Sequence, residues 1–334
     1  MQRTAVILES ARGAITVQQG ELTAPGPGEA AVQLEACGVC HSDLFVAGLE
    51  KLPLTPLTLG HEGIGRVTAV GENVTEVQPG DRVGVTFLTS TCGHCELCRA
   101  GLDRYCARQK NAGYTVDGVM ASAAVVAVQH LAKVPEELAA AEAAPLCCAG
   151  WTAYGALSAA NLTAGQSVAI FGMGGLGHLA IQYAKHSGLR TAAADISPEK
   201  LEHARAIGAD IVVPADTGSR TLQKEHGGMD AALVLTGNPA AVEQAFRSVK
   251  RTGTVILVGL STSQYQLPLV DTVLKGITIR GSYLGSREDL ASVFRLAAEG
   301  IVKPQVETHS IDEAPSLLDA LHKGRIRGRG VIVF

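Results

Sequence analysis

Through the first 150 residues, apolar positions fall in short Val-rich runs separated by Gly, Pro and Asp, most clearly at residues 30–36, 65–70 and 82–85. Runs of that length between turn residues predict the strands of a compact β domain. Beyond residue 150 the period changes. A strand pattern at 167–171 is followed by an amphipathic run at 176–187, and a strand pattern at 191–194 by a helical one at 199–207. Strand patterns at 209–213 and 231–234, a helical pattern at 239–249 and a strand at 254–258 continue the series. Such alternation predicts a mostly parallel sheet covered by helices. From about residue 289 the pattern returns to mixed helix and strand and ends in the apolar run 331–334. No internal repeat or low-complexity tract stands out.

A chain of 334 residues holds one large domain or two of ordinary size, and 46% hydrophobic residues argue against disorder. Charge is nearly balanced, 28 Lys and Arg against 32 Asp and Glu, so neither a nucleic-acid footprint nor a polybasic membrane surface is expected. The apolar stretch 139–149 contains Glu142 and Pro145 and is too short and polar for a membrane span. Met1 is not followed by a signal-peptide pattern. A soluble protein of the reducing cytoplasm is the expectation.

The eight cysteines carry the chemistry. Cys92, Cys95, Cys98 and Cys106 form C-x2-C-x2-C-x7-C. Four soft ligands so close together can close a tetrahedral zinc site and leave no position for substrate. Disulfide scaffolds are usually shorter and secreted, so a structural zinc lobe is the better reading. A second ligand set is dispersed: Cys40, His61, and Cys147 or Cys148. Cys37 and Cys40 also have the spacing of a zinc pair, but no matching pair is left to close such a site. Two thiolates and one neutral imidazole would balance the metal's charge and leave a fourth position open, as in an activating site.

At the head of the second region, Gly172-Met173-Gly174-Gly175-Leu176-Gly177 follows a five-residue strand and opens a helix. In that context Gly172 permits a tight turn, Gly174 lets pyrophosphate approach the backbone, and Gly177 lets helix and sheet pack closely. The helix N-terminus adds amide donors and a favourable dipole for phosphates. Asp195 stands 23 residues after Gly172. Its carboxylate can accept the adenosine ribose hydroxyls and would repel the extra phosphate of NADP, and Ile196, Ser197 and Pro198 supply no positive charge. NAD is therefore the expected cofactor, although Asp195 alone also reads as a cap of the next helix.

Taken in order, Cys37-Gly38-Val39-Cys40-His41-Ser42-Asp43, Gly60-His61-Glu62-Gly63-Ile64-Gly65, Gly80-Asp81-Arg82-Val83, the cysteine lobe, Cys148-Ala149-Gly150 and the glycine fingerprint closely resemble the zinc-containing medium-chain alcohol dehydrogenases. The resemblance covers essentially the whole chain. It implies an α/β protein with a GroES-like, β-rich catalytic domain at 1–150 and 286–334, a zinc lobe near 92–106, and a Rossmann doubly wound parallel-sheet domain at 151–285, with the active cleft between the domains. It implies NAD and two zinc ions per chain, an alcohol, aldehyde or ketone substrate, and a homo-oligomer, a tetramer rather than a dimer.

By motif, Cys40, His61 and Cys148 resemble the catalytic zinc ligands, and Cys147 a packing neighbour. Asp43 resembles the carboxylate that holds the liganding imidazole, and Glu62 the acidic neighbour of zinc. Ser42 matches the hydroxyl that bonds the substrate alcohol and passes its proton on. His41, Thr236 and Arg329 resemble cofactor contacts, joining Gly172, Gly174, Gly175, Leu176, Gly177 and Asp195. Phe87 and Leu284 resemble walls of the substrate pocket, with Leu49 and Leu52 as further contributors. Many relatives carry His three residues after the Ser or Thr, where this chain has Phe45, which cannot shuttle a proton. The leading reading is reversible NAD-linked oxidation of primary or secondary alcohols. A specialised polyol dehydrogenase, favoured by a polar cleft, and a non-catalytic zinc-stabilised dinucleotide-binding protein are the alternatives.

Overall fold

The computed structural model describes residues 2–334, and the chain divides into two compact units. One comprises residues up to Cys148 together with Ser286–Phe334, the other Ala149–Gly285. The boundary falls at Cys148 rather than at residue 150, because Ala149 already opens the helix Ala149–Ala159.

In the first unit the strand Glu29–Gly38 is the hub of a seven-stranded sheet. It pairs antiparallel with Gly63–Val70, Ala123–Ala127 and the C-terminal strand Arg329–Val333. Most of its residues are buried on both faces, which explains why residues 30–36 read as a nearly unbroken apolar run. Arg82–Val85 extends the sheet on one side, and Val306–His309, parallel to Arg329–Val333, on the other. The core gathers Val32, Leu34, Leu59, Val85 and Met120 with Leu317 and Ile332 of the C-terminal segment. Leu59 is fully buried, so its truncation to Ala would cost roughly 2–5 kcal/mol. The N-terminal hairpin Gln2–Leu8 and Ile15–Glu21 carries no clear sequence signal, because most of its second strand faces solvent.

The second unit is a six-stranded sheet, wholly parallel. Its spatial order is Ile211–Pro214, Arg190–Asp195, Ser167–Phe171, Met229–Val234, Val249–Leu257, Thr278–Gly281. Numbered along the chain that is 3-2-1-4-5-6, the order that binds dinucleotides where it reverses, at the carboxyl end of the first strand. The glycine turn leaves the sheet at that end of Ser167–Phe171. A helix at Gly218–His226 fills a stretch for which the pattern predicted no element. It buries only Gly218, Ser219 and Leu222, too sparse an apolar face to register as a period.

Candidate active site

The strand Glu29–Gly38 runs directly into the helix His41–Ala47, and Cys40 sits at the junction as the helix N-cap. Its backbone N–H donates to Asp43 Oδ2 at 2.8 Å, while Asp43 Oδ1 lies 3.1 Å from His61 Nδ1. A carboxylate only accepts, so His61 carries a proton on Nδ1 and turns its Nε2 the other way. That Nε2 is buried and has no hydrogen-bond partner. Ligand atoms of Cys40, His61, Glu62 and Cys148 lie within 4.8 Å of one another, all four residues buried.

The charges are organised around this cluster. A hydrogen bond from the Cys148 thiol, with help from His61, holds the Cys40 pKa well below the usual thiol value against the effect of burial. Cys148 is correspondingly held protonated by that bond and by burial. Burial lowers the His61 pKa, but the Asp43 carboxylate and the Cys40 sulfur together more than offset it and the net shift is upward. Burial also raises Glu62 to about 7 against the pull of Arg329. Two buried thiols beside a buried imidazole nitrogen are a donor set that fits a divalent zinc ion. Cys147 lies apart: its Sγ is 3.7 Å from the Gly63 carbonyl, and burial keeps its pKa high.

Glu62 forms a close ion pair with Arg329, and both are buried. The family resemblance offers Arg329 only as a cofactor contact. The pairing spans 267 positions and no local pattern announces it. Gly38 makes room for it, since a Cβ there would sit 2.0 Å from Glu62 Oε2. Ser42 is half-buried with Oγ 3.7 Å from Cys40 Sγ, His41 is exposed, and Phe45 is 42% exposed. Phe87 meets the His61 ring edge to face, centroids 5.1 Å apart, so one side of the cluster is apolar.

The four-cysteine lobe is built locally. Cys95 caps the short helix Glu96–Arg99, which carries Cys98, and Cys106 ends the 3-10 turn Asp103–Tyr105. Sulfur separations of 3.4 to 3.9 Å between its members compare with the edge of about 3.8 Å of a tetrahedron with Zn–S near 2.3 Å. Backbone N–H groups of Cys95 and Arg108 each lie 3.4 Å from a sulfur. The Cys92 pKa is drawn to about 5, chiefly by the backbone N–H of His94. All four ligands are protein sulfurs, which fits a closed site.

In the second unit Gly172 has φ +99°, a conformation that favours glycine. A Cβ on Gly177 would sit 2.1 Å from the Gly172 carbonyl oxygen, whereas one on Gly174 would meet nothing within 4 Å. The first demands close packing; the second leaves space beside the turn. Gly175 and Leu176 lead into the helix Gly177–His186. Asp195 does not cap the next helix: Ser197 does, accepting from the Lys200 N–H. Asp195 instead accepts the Met173 N–H at 2.7 Å and the Ser197 N–H at 2.9 Å, tying the glycine turn to the end of the neighbouring strand. Ile196 beside it is 82% exposed and uncharged. Thr236 lies against Gly172, and Leu284 is buried with φ +54°.

Residues 26–136 match the profile described as "Alcohol dehydrogenase GroES-like domain", and residues 175–299 that of "Zinc-binding dehydrogenase". An alcohol dehydrogenase of Geobacillus stearothermophilus is 42% identical, with 98% of each chain covered. Among solved structures, the alcohol dehydrogenase of Aeropyrum pernix superposes with TM-score 0.91 at 32% identity, covering 99% of this chain and 100% of that one. Acetophenone reductase of Geotrichum candidum, solved with NAD, gives TM-score 0.90 at 32% identity, covering 100% and 97%. With two zinc-fitting clusters, a dinucleotide-binding sheet and relatives alike along nearly their whole length, the chain belongs to the zinc-containing medium-chain alcohol dehydrogenase family.

Proposed function

We propose that this NAD-dependent zinc alcohol dehydrogenase oxidises primary or secondary alcohols to aldehydes or ketones, and runs in reverse, at a metal centre held by Cys40, His61 and Cys148. The observation that carries this reading is the convergence of the buried His61 Nε2 with the buried Cys40 and Cys148 thiols, their ligand atoms within 4.8 Å of one another. When bound, zinc supplies Lewis-acid polarisation of the alcohol or carbonyl oxygen, and NAD accepts or returns the hydride.

The remaining work falls to the chain's own side chains. Asp43 fixes the His61 tautomer and aims Nε2, as carboxylates behind ligating imidazoles do. Arg329 holds Glu62 in an ion pair, which keeps that carboxylate beside the cluster without leaving a buried charge unpaired. Ser42 Oγ takes the alcohol's hydroxyl proton and returns it in the reverse direction. Because Phe45 cannot relay a proton, the route beyond Ser42 ends in water or uses another residue. Gly174, Gly175 and Leu176 offer backbone N–H groups to phosphate, His41, Thr236 and Arg329 add contacts, and Asp195 selects the unphosphorylated ribose. Phe87 gives the substrate an apolar wall, with Leu284 as a second contributor. An apolar surface against His61 supports alcohols with aliphatic or aryl substituents over polyols.

The helix Leu269–Lys275 has no buried residue, and Leu269, Val270, Val273 and Leu274 are all at least 68% exposed. An apolar face of this kind supports self-association, and a homotetramer is proposed. No helix among the described residues is long and apolar enough to cross a membrane. Eight unpaired cysteines support a reducing, cytoplasmic location.

The test joins metal content to turnover. Wild-type protein is expected to hold two zinc ions per chain and to reduce NAD when given an alcohol. His61→Ala should retain the lobe zinc and lose most turnover. Full activity in that variant at wild-type zinc content would overturn the assignment.

A further inference from the structure

His178 is the second residue of the helix that follows the glycine turn, and it is 1% exposed. Its Nδ1 lies 3.1 Å from the Gly174 carbonyl oxygen. A carbonyl only accepts, so this nitrogen carries the ring proton. The helix's own bond to the same oxygen, from the His178 backbone N–H, is longer at 3.3 Å, near the loose end of the normal range. The ring therefore supplies the closer of the two bonds that hold the Gly174 carbonyl.

Peptide planarity converts that grip into a direction. In a trans peptide the N–H of Gly175 points opposite to the carbonyl of Gly174. Holding the oxygen toward the His178 ring turns the Gly175 N–H away from it, and Gly174 has open space beside its Cα. The ring of His203, on the helix Pro198–Ala206 that follows Asp195, packs near His178 with centroids 6.3 Å apart. We infer that His178 is a positioning residue for the dinucleotide: its Nδ1–H holds the Gly174–Gly175 peptide so that the Gly175 N–H is presented to the pyrophosphate. The inference rests on the reading of this turn as the NAD site.

Two substitutions separate donor from bulk. His178→Leu keeps an apolar side chain of similar size and removes the donor; His178→Asn keeps an N–H close to the position of Nδ1. With the zinc-replete protein, NADH is titrated by fluorescence, and ADP-ribose and adenosine by calorimetry. His178→Leu should weaken NADH and ADP-ribose about three- to tenfold, the effect of one neutral hydrogen bond. Adenosine, which has no phosphate, should bind as in wild type, kcat at saturating NAD should hold, and His178→Asn should recover most of the lost affinity. Unchanged NADH affinity in His178→Leu, an equal loss for adenosine, or an Asn variant as weak as Leu would each overturn the inference. If His178→Leu fails to fold, 15N spectra of the wild-type histidine decide: a proton on Nδ1 supports the inference and one on Nε2 overturns it. Failure of wild-type protein to bind NADH would instead refute the reading of the turn as a cofactor site.

Discussion

One zinc-fitting cluster draws its four thiols from residues 92–106, the other its members, Cys40, His61, Glu62 and Cys148, from residues 40 to 148. In the lobe, backbone N–H groups of the same short segment support the sulfurs, and protein thiols fill every vertex. The deep centre depends on the whole first unit: a strand end sets Cys40, a helix carboxylate turns His61, and the C-terminal strand supplies Arg329 to Glu62. A site closed by local ligands stabilises structure. A site assembled from distant ligands, with an imidazole nitrogen that no protein atom satisfies, keeps room for chemistry.

The sharpest break in this comparison is a pair of ligand deletions. His61→Ala should lower kcat by about a hundred- to a thousandfold, in the range of losing a main electrostatic contributor, with the fold retained. Cys95→Ala should leave kcat per folded, zinc-loaded catalytic site nearly unchanged while lowering the melting temperature and exposing the lobe to protease. Metal analysis, kinetics and thermal unfolding on both variants test the division. Equal kinetic damage from the two would erase it.

A milder change probes the support of the deep centre alone. Asp43→Asn keeps size and removes charge, and should weaken zinc at the catalytic site about 10- to 100-fold, as loss of a carboxylate behind a ligating imidazole does. Titration with a chelator should then release one zinc per chain early and the other at wild-type chelator concentration. Loss of both zincs together would mean the centres are not independent.

An effect on stability alone concerns what flanks the lobe. Arg287 donates to His130 Nε2 at 3.2 Å and to Asp103 at 3.3 Å, and Thr91 Oγ1 lies 3.5 Å from the same ring nitrogen. Burial, with Arg287 beside it, pushes the His130 pKa down to about 4. The unfolded value is about 6.5, so the unfolded chain binds the proton more readily. The contribution of neutral His130 is full above about pH 6.5 and is lost as the pH falls toward 4, to an extent of about 2–3 kcal/mol. Urea unfolding of wild type and His130→Gln at pH 7 and pH 4.5 reads this as a difference, so acid loss of zinc cancels. Parallel pH dependence in the two proteins would refute it.

How much was legible follows from how far apart the cooperating residues are. The lobe is a local pattern, and so is the glycine turn, which needs only a strand before it and a helix after it. Spacing alone left Cys147 and Cys148 level. The three-dimensional difference is that the Cys147 thiol faces the Gly63 carbonyl while Cys148 joins Cys40 and His61 in one buried cluster. Asp195 was recognisable by distance from Gly172, but its bonds to the Met173 and Ser197 amides were not, because they depend on strand register. The Glu62–Arg329 pair and the His178 grip on Gly174 are geometric facts about backbone direction and chain return, invisible to periodicity. The N-terminal hairpin escaped for a different reason: a strand with one solvated edge and few buried residues has little apolar contrast to detect.

The return of the chain to its own beginning also has a consequence in time. Arg329–Val333 hydrogen-bonds to Glu29–Gly38, so the hub of the first sheet lacks one of its three partner strands until residues 329–333 have been synthesised. Ala149–Gly285 has its own sheet and core and needs no such delay. On the ribosome the inserted unit can therefore mature while the strand Glu29–Gly38 still has one stretch of edge unpaired, and that edge is exposed to chaperones and to aggregation until residues 329–333 emerge.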